Sequence, residues 1–266
     1  MDHFLEDNNV KVSEDVEIQG ELVKAGTKIT CLLRQGNYNG SKMRVPPPEY
    51  EALFIFLALE SAAKAEEVKK TIEVSKSQYD GLYEVDINAD NRSRFFLMCQ
   101  NAMAAVTFSI SALESWANKS IAIYGTKEGK PIELTIERPD KPARKVMSNA
   151  VASDLSIPIR PKVFQLVPQV FSSQQLKCHS SLKKELDAIV DERNIIMHMQ
   201  QKLSLPQNEE FERVSYAIKL YKTNAFMAPE VVLNYMNYVY GKSSIEEALW
   251  VTKARKKLKS LRRSLK

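Results

Sequence analysis

Ser180–Gln201, SSLKKELDAIVDERNIIMHMQQ, is the stretch from which the rest of the chain can be read. Stepped at 100° per residue from Arg193, the residues Leu182, Leu186, Ile189, Val190, Ile196 and Met197 all fall within about 60° of it. The pattern predicts one amphipathic helix with Arg193 in the middle of its apolar stripe. Asp187, Asp191, Asn194 and His198 share an adjoining polar face. A guanidinium centred on a burying face is costly unless an anion or a partner meets it.

A second charge of this kind lies upstream. Asn91 is expected to cap a long helix reaching about Ile123, with Phe96, Cys99, Met103, Val106, Ile110, Leu113, Ala117 and Ile121 on one stripe. Glu114 falls within about 60° of Ile110 on that stripe. The two buried-face charges are opposite in sign. The simplest expectation is that the helices pack together and that Glu114 pairs with, or orients, Arg193.

Other segments complete a mainly α pattern. Residues 10–46 are β-rich, at Val10–Val12, Val16–Ile18, Glu21–Val23, Lys28–Leu33 and Met43–Val45, with Asn39-Gly40 as a hairpin signal and a small antiparallel sheet as the expected result. Pro46-Pro47-Pro48 introduces a helix over Pro48–Val74, and Gln78–Asn88 reads as a turn with a short strand. Gly125–Pro161 is irregular, with a strand at Ile132–Glu137 and helix-breaking Pro139, Pro142, Pro158 and Pro161, which marks a functional flap or a mobile insertion. Short helices are expected over Pro161–Phe171, Glu209–Tyr221 and Pro229–Tyr240, the last ended by Gly241 as a C′ residue. Ser244–Glu247 has capping-box spacing before a final helix striped by Trp250, Ala254, Leu258, Leu261 and Leu265. The expected fold is a helical bundle with a small N-terminal antiparallel β region and an irregular insertion at about 125–160. Its parts are a β-rich segment 1–47, a helical domain 48–241 and a basic C-terminal helix 242–266.

Composition narrows the function classes. With 266 residues, 44% hydrophobic and 27% charged, the chain is that of an ordinary globular protein. No apolar run approaches the roughly 20 residues that span a bilayer, and residues 1–8 lack a basic, apolar leader, so a cytoplasmic protein without membrane contact is expected. Cys31, Cys99 and Cys178 have no CxxC spacing and read as reduced thiols, and the Cys178-His179 pair has no second ligand cluster, so no metal or cofactor is expected. The net charge is +5, yet Lys253–Lys266 holds eight basic residues and no acidic one, leaving about −3 (5 − 8) for the rest. Lys253, Arg255, Lys256, Lys257, Lys259, Arg262 and Arg263 are therefore candidate contacts for RNA phosphates, with an anionic membrane surface or a solubilising helix docked on the body as the alternatives.

Arg193-Asn194, three residues and then His198, late in a helix of a helical protein, resembles the HEPN domain family. Asn101–Ile121 is similar to that family's long helix before the motif helix, and the resemblance covers roughly Pro48–Tyr240. It implies a bundle that dimerises through its motif helices around a shared cleft, and metal-independent RNA cleavage. Many members are toxins or phage-defence effectors, which implies a possible antitoxin or regulatory partner. Others keep the bundle only for dimerisation or binding. Arg193 and His198 would be the catalytic pair, with Asn194 in support and Glu114 orienting the arginine.

The residue types suit that chemistry. An imidazole can give or take a proton near neutrality, and a guanidinium offers fixed bidentate donors to phosphate. The spacing is awkward. Five residues turn about 140° and rise about 7.5 Å, so Arg193 and His198 point in different directions on an ideal helix. Either the helix end is distorted or a second copy completes the site. The competing expectation is a non-catalytic interaction module in which the Arg193 helix forms the interface.

Overall fold

Small side chains bring the first two helices together. In the computed structural model, which describes residues 9–11, 15–18, 21–30, 34–38, 40–45, 49–76, 83–85, 88–171, 180–199 and 207–265, α1 (Tyr50–Lys69) buries Ala52, Ala58, Ala62 and Ala65. Helix α2 (Ala89–Tyr124) buries Ala102, Ala105, Ala112 and Ala117, and the α1–α2 contact is the most extensive in the molecule. By length and composition α2 is apolar enough to cross a membrane, with mean hydropathy 1.4 over 18 residues, but half of that window is buried. It is the axis on which α5 (Ser180–Met199), α6 (Gln207–Lys222) and α7 (Met227–Gly241) pack. Helix α8 (Leu249–Ser264) lies on α1 and α7 and buries Trp250, Val251, Ala254 and Leu258.

The strands are short and antiparallel throughout. In place of one N-terminal sheet, the described residues show three two-stranded ladders: β1 (Asn9–Lys11) with β4 (Lys28–Thr30), β2 (Val16–Ile18) with β3 (Glu21–Val23), and β5 (Arg34–Tyr38) with β6 (Ser41–Val45). Tyr38 pairs with Ser41, and Gly40 has φ +79°, which suits the expected turn. Pro48, Asn39, Cys31, Cys178 and His179 lie outside the described residues.

Several boundaries move, each for a local reason. Helix α1 ends at Lys69, and Val74 instead begins β7 (Val74–Lys76), paired with β8 (Tyr83–Val85). The α2 cap is Asn88, whose Oδ1 accepts from the Asn91 N–H at 2.8 Å. Asn91 is buried, and its amide bonds both the N–H and the C=O of Glu73 at 2.8 Å, fastening the α1 exit to the α2 entry. Phe96, expected on the buried stripe, is exposed. Helix α8 starts at Leu249 behind Ala248, with no side-chain cap, because Glu247 instead accepts from Thr252 and Arg255. Gly241 is the last residue of α7, and the cap after it is Lys242 in right-handed conformation.

The segment from Gly125 to Pro158 is more regular than its prolines suggest. It forms two hairpins, β9 (Thr126–Lys127) with β10 (Lys130–Pro131) and β11 (Glu133–Ile136) with β12 (Arg144–Met147). Leu134, Ile136, Val146, Val151 and Ile157 are buried, so the insertion is part of the core rather than a loose flap. At its root a Cβ on Gly125 would stand 2.5 Å from Ser148 Cβ, while the Ser148 hydroxyl donates to Gly125 O.

The helical stretch that follows is interrupted. Short α3 (Ile159–Pro161) and α4 (Val167–Phe171) flank a π-helical turn over Lys162–Leu166. The Val167 N–H goes to Lys162 O, and Pro168 has no N–H, so Val163 O has no backbone donor in either register. The Tyr235 hydroxyl of α7 fills that gap at 2.5 Å. Below it, Gln169 bonds the N–H and C=O of Thr135 at 3.0 and 2.7 Å, and Gln165 bonds those of Glu137 at 2.7 and 3.4 Å. Glutamines one helical turn apart thus cover alternate residues of the β11 edge.

Two substitutions test this scaffold. Tyr235→Phe leaves a buried carbonyl unmet and is expected to cost about 1–2 kcal/mol in urea unfolding. Gly125→Ala forces Ser148 and the α2 terminus apart, with a loss of about 1–3 kcal/mol in the same measurement.

Candidate functional site

Helix α5 remains α-helical from Ser180 to Met199, so its C-terminal turn is not distorted. Leu186, Ile189, Val190 and Ile196 are buried on it as the periodicity predicts, Leu182 is half-buried, and Met197 is exposed. The polar face is divided between two tasks. Arg160 from α3 donates Nε to Asp187 Oδ1 at 2.8 Å and Nη2 to Asp187 O at 3.2 Å, and its Nη2 also pairs with Asp191 Oδ1 at 2.8 Å. Both carboxylates together hold the Arg160 guanidinium above its ordinary pKa. Asn194 and His198, further along the same face, are half-buried and exposed, respectively.

Glu114 does not meet Arg193. Its Oε1 accepts from Lys162 Nζ at 2.9 Å, and Lys162 is buried at the start of the π turn. The expected pairing of opposite charges between the two long helices is not made: the cation comes from a third element, the π turn at Lys162. Lys162 carried a usable signal, since it stands four residues before buried Leu166 on one helical face. The charge that α5 buries is also a different one. Glu192 is 4% exposed and sits 3.4 Å from the Tyr216 hydroxyl and 3.5 Å from Lys219 Nζ. Burial, with the Glu192 carboxylate alongside, pushes the Tyr216 phenol far above its usual range, so Tyr216 is the donor.

Arg193 is half-buried, and its Nη1 donates to the neighbouring Asn194 Oδ1 at 3.3 Å. Among the described residues no carboxylate pairs with it. Arg144, Arg160, Arg255 and Arg262 are buried to a similar degree, and each meets a carboxylate. The Arg193 guanidinium has five N–H donors and spends one on Asn194. Met197 stands about 40° round the regular helix from Arg193 and Ile195 about 160° round on the far side, and both are exposed, at 40% and 46%. On the regular helix His198 lies about 140° and 7.5 Å from Arg193.

The basic residues of α8 divide in the same way. Arg262 makes a bidentate pair with Glu230, at 2.6 Å for both bonds, and Arg255 pairs with Glu247 at 2.7 Å and with Asn237, so both hold the helix down. Lys256, Lys257, Lys259 and Arg263 are exposed, and Lys253 is half-buried. Among the described residues no cluster of three His, Cys, Asp or Glu side chains is arranged for a metal ion. Burial raises the Cys99 thiol to about 11, so it is a core group and no nucleophile at neutral pH.

The Lys162–Glu114 pair makes an asymmetric prediction. Solvent reaches the Glu114 side chain (37% exposed) but not that of Lys162 (4%). Glu114→Ala strands a buried ammonium and is expected to cost about 3 kcal/mol or more. Lys162→Met leaves a carboxylate that water can solvate and is expected to stay within about 1 kcal/mol of the parent, both read from chemical denaturation. Against known proteins, the chain matches no protein-family model, no curated protein and no solved structure.

Proposed function

We propose that the chain is a cytoplasmic, HEPN-like, metal-independent endoribonuclease of the toxin or phage-defence kind, acting as a homodimer with Arg193 and His198 in a composite cleft. The observation that carries this reading is the half-buried Arg193 guanidinium, which donates to the amide oxygen of its neighbour Asn194, while Arg144, Arg160, Arg255 and Arg262 meet carboxylates and Arg94 meets a backbone carbonyl. A cation held part-way out of water suits a phosphodiester.

In the proposed reaction the substrate's 2′-oxygen attacks phosphorus as a base removes its proton. The phosphorus bond to the 5′-oxygen breaks, and an acid protonates the departing 5′-oxygen. The products are a 2′,3′-cyclic phosphate and a 5′-hydroxyl. Arg193 holds the charge gathering on the phosphate oxygens, and Asn194 Oδ1 steadies its guanidinium. His198 carries the proton. Because α5 is regular through His198, the reading takes one residue of the pair from each protomer, with α5 facing α5 and the exposed Met197, next to Arg193 on the helix, at the seam.

The exposed Met197 favours a second reading, in which the α5 face is only a dimerisation or partner-binding surface. Cleavage of a mixed RNA pool by the purified full chain separates the two. In the nuclease reading His198→Ala slows cleavage by about 10²–10⁴-fold, Arg193→Ala does so at least as strongly, and a mixture of the two variants regains part of the activity through hybrid dimers. A mass measurement showing dimers but no His198-dependent cleavage leaves the interaction module standing.

A further inference from the structure

We infer that the outward face of α8 is a binding track for an RNA phosphate backbone, separate from the α5 cleft. This deepens the nuclease reading by naming where the strand is held, but binding alone is enough to test it. On α8 the side chains of Trp250, Val251, Ala254 and Leu258 are buried against the body, and Arg255 and Arg262 are consumed by Glu247 and Glu230. The structure thus divides one basic helix into docking cations and presented cations. Lys256, Lys257, Lys259 and Arg263 are exposed and have no carboxylate partner among the described residues.

Helical phase gathers these four on one side. Stepped at 100° from Lys256, Lys259 and Arg263 fall near −60° and −20° and Lys257 near +100°, with Ser260 and Ser264 between them at about +40° and +80°. From Lys256 to Arg263 the axis rises about 10 Å, the length of roughly three phosphates along one strand of a duplex. A convex row of flexible ammonium groups with interleaved hydroxyls can follow a backbone but cannot enclose a base, so the expected binding is independent of sequence. An anionic membrane is the less suitable partner. The apolar side of α8, which a surface-bound helix would insert between lipids, is already inside the protein.

The test uses the full chain, a labelled unstructured RNA of about 20 nucleotides 2′-O-methylated against cleavage, and anisotropy over a salt series. Three single-strand phosphate contacts at about −0.7 each give a slope of log affinity against log salt near −2. The variant K256Q/K257Q/K259Q/R263Q is expected to lose that slope and to bind at least tenfold more weakly at low salt. Its thermal midpoint stays in place, because Arg255 and Arg262 are kept. No RNA binding by the parent chain, an unchanged slope in the variant, or binding only to phosphatidylserine-containing vesicles overturns the inference. Binding that depends on the four cations, with no cleavage by the parent chain, supports it while overturning the nuclease reading. Cleavage that needs His198, with binding indifferent to the four cations, does the reverse.

Discussion

Pro168 has no N–H, and much of the molecule follows from where that gap falls. An uninterrupted α-helix through this stretch would have to leave a buried carbonyl without a donor. The π turn moves the Val167 N–H to Lys162 O, which confines the deficit to Val163 O, where the Tyr235 hydroxyl reaches it. That bond fixes α7 to the interrupted helix. It also fixes which way the interrupted helix presents its other side chains. Arg160 and Lys162 are directed at α5 and α2, and Gln165 and Gln169 at the β11 edge. One proline is thus compensated by contacts to four elements, and the insertion becomes part of the core through the same helix.

The charges in the interior show how such contacts are chosen. Lys162 is almost fully desolvated and Glu114 only partly, so the pair is held mainly for the sake of the lysine. On α1, Glu51 is buried and is met by Lys119, which also reaches Glu49 at 3.2 Å. Burial draws the Lys119 ammonium down while the two carboxylates draw it up, and the carboxylates win. Glu192 is met from α6 by a hydroxyl and an ammonium. In each case the buried ion has a partner nearer the surface, which keeps the desolvation cost on one side. Arg193 departs from that habit, as does half-buried Arg94, which meets only the Thr71 carbonyl: neither has an acid among the described residues.

The amphipathic reading of α5 and α8 was legible because helical period and burial follow directly from residue order. Leu186, Ile189, Val190 and Ile196 are inside, as are Trp250, Ala254 and Leu258. The mainly α architecture with a small antiparallel β region was legible for the same reason. The phase of a stripe, however, does not name a partner. Arg193 and Glu114 had suitable faces and opposite signs, yet Lys162 takes Glu114, because the proline-broken helix brings an ammonium into the space between. The capping box at Ser244–Glu247 failed similarly, since the Glu247 carboxylate accepts from Thr252 and Arg255 and α8 begins only at Leu249.

By itself, then, the order of residues determined which segments are helical, which faces turn inward and where the positive charge gathers. These are local properties, set by backbone geometry and by the cost of hydrating apolar side chains. Tertiary structure alone decided which ion meets which, that Pro168 requires Tyr235, that Arg255 and Arg262 are spent on docking, and that Arg193 meets no acid among the described residues. Those outcomes depend on distances of about 3 Å between residues tens of positions apart, and no periodicity in one segment encodes the position of another.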